Sequence, residues 1–88
     1  MHLRLEIVNE KGLHARASAK FVETVERFDA QAVVCRDGME VSGDSIMGLL
    51  MLGAGRGTSI DVRVEGAEAG ALAEALTALV AGRFGEAS

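Results

Sequence analysis

Hydrophobic and polar residues alternate at the start of the chain and then change to helical spacing. Leu3, Leu5 and Ile7 are separated by charged residues, and this period of two predicts a half-buried strand. Residues 9–12 predict a turn, because a glycine follows three polar residues there. Between residues 15 and 28 the apolar positions recur at helical spacing, which predicts an amphipathic helix with a charged outer face.

A hairpin and a short helix are predicted in the middle of the chain. Residues 32–36 are rich in strand-forming side chains, Asp37-Gly38 is a strong hairpin turn signal, and residues 39–41 return as the second arm. Residues 42–45 form a loop rich in side chains that cap helix N-termini. A short apolar helix over residues 46–52 is expected to follow this loop.

The last third of the chain predicts one more strand and one more helix. Residues 60–65 alternate between apolar and charged side chains and form the fourth predicted strand. Apolar side chains at helical spacing between residues 72 and 80 predict a final helix, which Gly82 and Gly85 end. The order βαββαβα indicates an α+β fold. Its strands and helices favour a four-stranded antiparallel sheet covered on one face by three helices, with the other face solvated.

Length and charge narrow the possible functions. The chain has 88 residues, so we expect one domain over residues 1–88, with a surface site rather than an enclosed pocket. The formal net charge of −4, with three phenylalanines and no tyrosine or tryptophan, argues against nucleic-acid binding. No cluster of histidine, cysteine and aspartate has the spacing of metal ligands, and no motif calls for a cofactor.

The chain shows no sign of secretion or of membrane insertion. Its single cysteine, Cys35, cannot form an internal disulfide, which fits a reducing compartment. Charges interrupt the N-terminal residues, unlike those of a signal peptide. The longest apolar run, residues 46–54, is too short to span a bilayer. We therefore expect a cytoplasmic protein.

The candidate chemistry lies where the first helix begins. His14 and Arg16 stand at this start, where free backbone N–H groups and the positive end of the helix dipole attract anions, usually phosphate. Histidine is also a nucleophile that can carry a covalent group. The guanidinium of Arg16 matches phosphate oxygens in geometry, and the N–H groups of Ala15 and Ala17 would supplement it. The pattern therefore suggests a phosphorylatable imidazole.

A second candidate surface lies on the short helix. Ile46, Met47, Leu50 and Met51 cannot all face inward on a helix of about two turns, so we expect an exposed apolar patch near His14. Methionine side chains adapt to different partners, and exposed apolar patches mark protein contacts. The patch is therefore a candidate docking surface.

Ser45 and Gly53 border this helix. Ser45 is a candidate N-cap, and the helix dipole would tolerate a phosphate on its hydroxyl, which would bring negative charge into the patch. Gly53 begins the glycine-rich run 53–57, which ends the helix and lets a partner approach closely. This run lacks the lysine of a phosphate-binding P-loop, so helix termination explains it better.

Two segments carry a resemblance to a known family. Residues 9–16, which end in Gly-Leu-His-Ala-Arg, resemble the active-site signature of HPr, the histidine-containing phosphocarrier family of the bacterial phosphotransferase system. Residues 43–52 resemble the regulatory-serine segment of that family, and residues 57–60 resemble its usual continuation. The spacing of the two motifs and the total length also fit, so the resemblance covers essentially the whole chain.

This resemblance implies a fold and a role. The fold would be an open-faced β-sandwich. His14 would take a phosphoryl group on Nδ1 from phosphorylated enzyme I, which phosphoenolpyruvate charges, and would pass it to an enzyme IIA domain. The protein would be a stoichiometric carrier rather than an enzyme, and a monomer. Ser45 would match the serine that HPr kinase/phosphorylase modifies. Ala17 departs from the proline that often stands there in the family, which leaves the downstream partner open.

Two other functions remain open at this stage. The first is a regulatory binding module, as in a nitrogen-related phosphotransferase system, acting through contacts that depend on its phosphorylation. The second is an unrelated small ligand-binding or RNA-binding domain, which the acidic charge and the scarcity of aromatic residues disfavour. The choice between sugar uptake and nitrogen-linked regulation also stays open.

Overall fold

One antiparallel sheet and the helices on its covered face make up the computed structural model, which describes all 88 residues. The elements follow the predicted order βαββαβα. They are β1 (His2–Glu6), α1 (Ala15–Glu26), β2 (Gln31–Arg36), β3 (Met39–Ser42), α2 (Ile46–Met51), β4 (Ser59–Glu65) and α3 (Ala69–Ala81), followed by a 3₁₀ turn at Arg83–Gly85. The predicted fold class is confirmed.

The sheet has the strand order β1-β4-β2-β3, and every neighbouring pair is antiparallel. Val62 of β4 lies opposite Leu3 of β1 on one side and Val34 of β2 on the other. Because side chains alternate along a strand, this register directs Val34, Ile60 and Val62 to the covered face, where all three are fully buried.

The other face of the sheet is charged and solvated, as predicted. Arg4 lies 3.6 Å from Asp61, and Arg63 lies 3.3 Å from Glu40, in both cases between side-chain nitrogen and oxygen atoms. These side chains are largely exposed, so each pair contributes no more than about 1 kcal/mol. These charged side chains therefore keep the open face in contact with water, and the packing of the covered face supplies most of the stability of the fold.

The tight connection between β2 and β3 is the predicted hairpin turn. Asp37 and Gly38 both have a positive φ, 50° and 80°. Two consecutive residues of this kind match the twist of the flanking strands, and the Asp-Gly pair is favoured for that geometry. The hairpin prediction is confirmed.

Helices α1 and α3 provide most of the side chains that cover the sheet. Phe21 of α1 and Leu72 and Leu76 of α3 are fully buried. Helix α2 lies against α1 and β3, and Leu49 is its only buried residue. None of the helices is long and apolar enough to cross a membrane.

The predicted end of α1 was two residues too late. The helix ends at Glu26 rather than at Phe28. The N–H groups of Arg27 and Phe28 bond to oxygens three residues back, Thr24 O at 3.2 Å and Val25 O at 3.3 Å. Such tightening is common in the last turn of a helix. Phe28 keeps its apolar contact with the core from outside the helix.

The chain after α3 forms a turn that the sequence did not predict. Arg83, Phe84 and Gly85 all have a positive φ, 58°, 54° and 78°. For a residue other than glycine this conformation costs about 1–2 kcal/mol. Phe84 is fully buried, a gain of about 1.5–3 kcal/mol, and Lys20 Nζ donates a hydrogen bond of 2.6 Å to its carbonyl oxygen. These contacts offset the strain and return the chain end to α1.

We predict that the core depends strongly on Phe21. Replacing this fully buried side chain by alanine should lower the free energy of unfolding by about 3–5 kcal/mol, because it leaves a cavity between α1 and the sheet. The matched variant Phe28→Ala, at a half-buried position, should cost only about 1 kcal/mol. Urea denaturation followed by circular dichroism measures both values, and equal losses would contradict the assignment of the core.

Candidate functional site

His14 is the N-cap residue of α1. Its backbone is extended, with φ −79° and ψ −176°, and its carbonyl oxygen accepts the first helical hydrogen bond, from Ser18 N at 2.8 Å. Its side-chain Nδ1 accepts a hydrogen bond of 3.3 Å from the backbone N–H of Arg16. The backbone N–H groups of Ala15 and Ala17 have no acceptor. One ring nitrogen therefore faces the N–H groups of the first helical turn, the arrangement that the sequence suggested.

The loop after α2 holds the segment that carries His14. Leu13 N donates a hydrogen bond of 2.9 Å to Ala54 O, and Leu13 itself is buried. Gly12 has φ +68°, and a Cβ atom there would come within 2.7 Å of the same Ala54 oxygen. Only glycine suits both the conformation and the close approach. The two glycine-containing segments, 12–13 and 53–55, thus fix where α1 begins.

Asn9 supports this segment from the inside. Its side chain is fully buried, and its Nδ2 donates to Gly12 O at 2.8 Å and to the Glu86 carboxylate at 3.0 Å. It therefore links the turn before α1 to the C-terminal end of the chain. The sequence analysis assigned Asn9 only to the turn and to the family signature.

The other ring nitrogen of His14, Nε2, contacts the carboxylate of Glu86. Both side chains are mostly buried, with exposed fractions of 27% for His14 and 15% for Glu86. The hydrogen bond from Asn9, and next that from His14, hold the pKa of Glu86 below its usual range. Burial raises this pKa, whereas the positive charge of Lys11 lowers it further. Glu86 is therefore a carboxylate at neutral pH.

Sequence analysis missed Glu86. It lies 72 residues from His14 along the chain, beyond the last predicted helix, among residues that carry no periodic pattern. The one available signal was Phe84, a large apolar side chain placed after the helix-ending Gly82, which indicates that the chain end returns to the core.

An open cleft of about 530 Å³ surrounds His14. Two cationic and two anionic side chains line it, together with the small residues of the helix start and of the chain end: Glu10, Lys11, His14, Ala15, Arg16, Glu86, Ala87 and Ser88. The Arg16 guanidinium is exposed and takes part in no hydrogen bond or ion pair. It is free to bind an anion that sits beside Nδ1.

Ser45 is the N-cap of α2. Its Oγ accepts a hydrogen bond of 3.0 Å from Gly48 N, and its backbone is extended. The residue is half-buried, and it does not line the cleft around His14. The structure thus separates the two sequence motifs, placing one at the start of α1 and the other at the start of α2.

The apolar side chains of α2 divide between core and solvent. Met47 and Met51 are 69% and 67% exposed and Ile46 is 40% exposed, whereas Leu50 is half-buried. Gly53 is exposed, has φ +60°, and has open space where a Cβ would lie. The exposed patch exists as predicted, but its residues do not line the cleft. The two regions are joined by the packing of α2 against α1 and by the loop 53–55, which packs on Gly12 and Leu13.

No three histidine, cysteine, aspartate or glutamate side chains are grouped so that they could hold a metal ion.

Fold and site together define a class: a small α+β protein that presents an N-cap histidine, beside an open cleft, to the first turn of a helix. Comparison with known proteins narrows the class. The family model of the phosphotransferase HPr component, described by its phosphorylation site, matches residues 2–82.

Individual relatives agree with the family model. The HPr phosphocarrier protein of Neisseria meningitidis is 46% identical over 82 residues, covering 93% of this chain and 92% of the relative. The phosphocarrier protein NPr of Shewanella violacea is 39% identical over 85 residues, covering 97% and 93%. A crystal structure of HPr from Thermoanaerobacter tengcongensis superposes with a TM-score of 0.94 at 36% identity, covering 100% of this chain and 99% of that one.

The chain belongs to the HPr family of phosphocarriers of the phosphotransferase system. The predicted family is confirmed, and members of this class carry phosphoryl groups rather than catalyse a reaction of their own. The presence of both HPr and NPr relatives leaves the branch of the family open.

We predict that Glu86 stabilises the fold only while it is ionised. Because its pKa is lowered in the folded state, its contribution is fully present above its usual pKa and is lost as pH falls through the lowered value. Wild type should therefore exceed Glu86→Gln in free energy of unfolding at neutral pH. The margin should shrink below about pH 4.5. Urea unfolding across this range measures it.

The control is Glu10→Gln, which removes a carboxylate that lines the same cleft but does not contact His14. Its difference from wild type should show no such acid-dependent loss. A wild-type margin over Glu86→Gln that stays constant down to about pH 3 would contradict the linkage.

Proposed function

We propose that His14 is the phosphoryl carrier of this protein, and that it accepts the group on Nδ1 from phosphorylated enzyme I and delivers it to an enzyme IIA domain. The observation that supports this most directly is the N-cap position, where Nδ1 faces the backbone N–H of Arg16 at 3.3 Å. A phosphoryl group on Nδ1 would lie against free N–H groups at the positive end of the helix dipole.

The transfer is a displacement at phosphorus. The lone pair of Nδ1 forms the new N–P bond, the bond from phosphorus to the donor nitrogen of enzyme I breaks, and its electron pair stays with the donor. Delivery to an enzyme IIA domain is the same step in reverse, with His14 as the leaving group. The phosphoryl group originates from phosphoenolpyruvate. The protein is then a covalent intermediate shared between enzymes, and it needs no cofactor.

Arg16 would bind the phosphoryl oxygens during transfer. Its guanidinium is exposed on the cleft and has no other partner in the structure. A planar fork of donors matches two phosphoryl oxygens at once and neutralises the charge that develops on them. The N–H groups of Ala15 and Ala17 would add backbone donors without any change of conformation.

The exposed face of α2 would be the docking surface for enzyme I and enzyme IIA. Ile46 and Met47 expose apolar area, Leu50 lies partly exposed beside them, and Gly53 leaves room for a partner's backbone. Flexible methionine side chains suit a carrier that must bind more than one partner. A transient carrier of this kind acts as a monomer, as one domain over residues 1–88, in the cytoplasm.

Ser45 would be a regulatory site for an HPr kinase/phosphorylase. Its hydroxyl lies at the start of α2, directly before the exposed Ile46 and Met47. A phosphate there would leave the helix intact, since the helix dipole tolerates a negative charge at its start. It would repel an acidic partner surface and so weaken docking.

A regulatory binding module is the second candidate function. One relative, the phosphocarrier protein NPr of Shewanella violacea at 39% identity, is named differently from HPr, and this supports the second candidate, although the HPr protein of Neisseria meningitidis is more similar at 46%. In that case the phosphorylated and unphosphorylated forms would bind different regulatory proteins through the α2 face, and nitrogen-linked control rather than sugar uptake would follow. Both functions use His14 in the same way, so the first experiment concerns that residue.

We predict that His14 carries a single acid-labile phosphate. Incubation with enzyme I, phosphoenolpyruvate and magnesium should add one phosphate to the wild type, detected by intact mass and phosphorus NMR, and none to His14→Ala. The control is His2→Ala, which removes the only other histidine, an exposed residue of β1, and should be phosphorylated normally. Phosphate that persists in His14→Ala, or its absence from wild type with a demonstrably active enzyme I, would contradict the carrier role.

We predict that charge at Ser45 weakens docking without unfolding the helix. Ser45→Asp should raise the KM for the carrier in the enzyme I reaction on the order of tenfold, while the melting temperature stays within about 2 °C, because aspartate also caps helices. The matched control Ser45→Asn keeps a capping side chain without the charge and should behave like wild type. Equal KM values for the two variants would rule out the electrostatic explanation.

A further inference from the structure

The two ring nitrogens of His14 face partners of opposite character. Nδ1 accepts a hydrogen bond from the backbone N–H of Arg16, so it presents its lone pair and carries no proton. Nε2 contacts the carboxylate of Glu86. An ionised carboxylate has no proton to donate and can only accept a hydrogen bond. Both contacts are satisfied by one tautomer alone, with the proton on Nε2. That tautomer exposes Nδ1, the nitrogen that faces the first turn of α1.

Glu86 is itself held by a set of contacts that we call the C-terminal clamp: Asn9, Lys20, Phe84 and Glu86. Asn9 Nδ2 donates to one carboxylate oxygen at 3.0 Å, while the other oxygen contacts His14. Phe84 is fully buried, and Lys20 Nζ donates to its carbonyl oxygen at 2.6 Å. The clamp fixes the carboxylate from two sides, and its backbone includes the left-handed residues at 83–85.

We propose that Glu86 is a positioning residue for phosphoryl transfer, which keeps the proton of His14 on Nε2, directs Nδ1 to the first turn of α1, and stabilises the charge that develops on the ring. This inference rests on the proposed function of His14. A carboxylate that orients an imidazole and stabilises its cationic form is a general device for activating a histidine.

The charge balance of the step explains why the carboxylate helps. As the lone pair of Nδ1 forms the N–P bond, the bond from phosphorus to the phosphorylated donor breaks and its electron pair leaves with the donor. The proton stays on Nε2, so the ring of His14 gains positive charge. Glu86 meets that charge directly at Nε2 through a charge-assisted hydrogen bond.

Repulsion between Glu86 and the phosphoryl oxygens acts against this gain, but over a longer distance. The carboxylate contacts Nε2, whereas the phosphoryl group would be bound to Nδ1 on another side of the ring. Attraction to the adjacent ring therefore exceeds repulsion from the more distant oxygens. Lys11 and Arg16 line the same cleft and further offset the repulsion.

The first test compares the phosphoryl-transfer kinetics of wild type and Glu86→Gln with enzyme I. The variant keeps the size and an acceptor oxygen but loses the charge. We expect kcat to fall about tenfold, as for the loss of one charged hydrogen bond, while the KM for enzyme I changes less than about twofold. Glu65→Gln, which changes an exposed carboxylate at the end of β4 outside the cleft, should leave both constants unchanged.

The second test observes the ring proton directly and needs no partner protein. In wild type at neutral pH, proton NMR with ¹⁵N-labelled histidine should show a His14 Nε2–H protected from exchange by the carboxylate. In Glu86→Ala the Nε2 proton should exchange rapidly with water, and its signal should broaden beyond detection. A contribution of Glu86 to folding stability alone would not move it selectively, because the fold could weaken without changing the ring proton.

A third test asks whether the clamp acts through Glu86. Lys20→Met removes the hydrogen bond to Phe84 O and should lower kcat by itself. In the Glu86→Gln background the same substitution should have no further effect, because its only route to the ring is already lost. Full additivity of the two effects on kcat would contradict the clamp.

Each remaining outcome has a definite meaning. A wild-type kcat in Glu86→Gln, or a protected Nε2–H in Glu86→Ala, would overturn the positioning role even if the variants are less stable. If wild type takes no phosphate from an active enzyme I, the proposed function fails. The NMR experiment then still decides whether Glu86 sets the tautomer of His14.

Discussion

The contact between the turn before α1 and the loop after α2 is the constraint on which the site depends. Leu13 N–H bonds to Ala54 O, and Gly12 lies so close to the same carbonyl that no side chain fits there. This contact decides where α1 begins and therefore that His14, two residues after Gly12, becomes its N-cap. It also joins the start of α1 to the loop that follows α2, the helix that carries the exposed methionines.

A small protein without an enclosed pocket can still impose a defined chemical state on one side chain. In this structure the ring of His14 is bound at both nitrogens, by a backbone N–H at Nδ1 and by a carboxylate at Nε2. The first partner comes from the start of α1 and the second from the end of the chain. Because both are held by the core, through Leu13 and Phe84 respectively, the ring is ordered while its cleft stays open to partner proteins.

The predictions from sequence succeeded where the physics is local. The strand alternation, the Asp-Gly hairpin and the N-cap at Ser45 depend on residues within one element or one turn, and all appear in the structure. The end of α1 was wrong by two residues, because Phe28 packs on the core after the helix has tightened. Helical spacing records which side chains reach the core. It does not record whether the backbone that carries them is still helical.

The sequence by itself determined the element order and the family, and it singled out His14 and Arg16 as the candidate pair for phosphoryl transfer, because each follows from neighbouring residues. Only the tertiary structure decided that Glu86 belongs to the site. Its contact with His14 spans 72 positions and depends on three residues in left-handed conformation that the burial of Phe84 and the Lys20 hydrogen bond stabilise together. No local preference encodes such a path, since it is favourable only when the core that receives Phe84 has already formed.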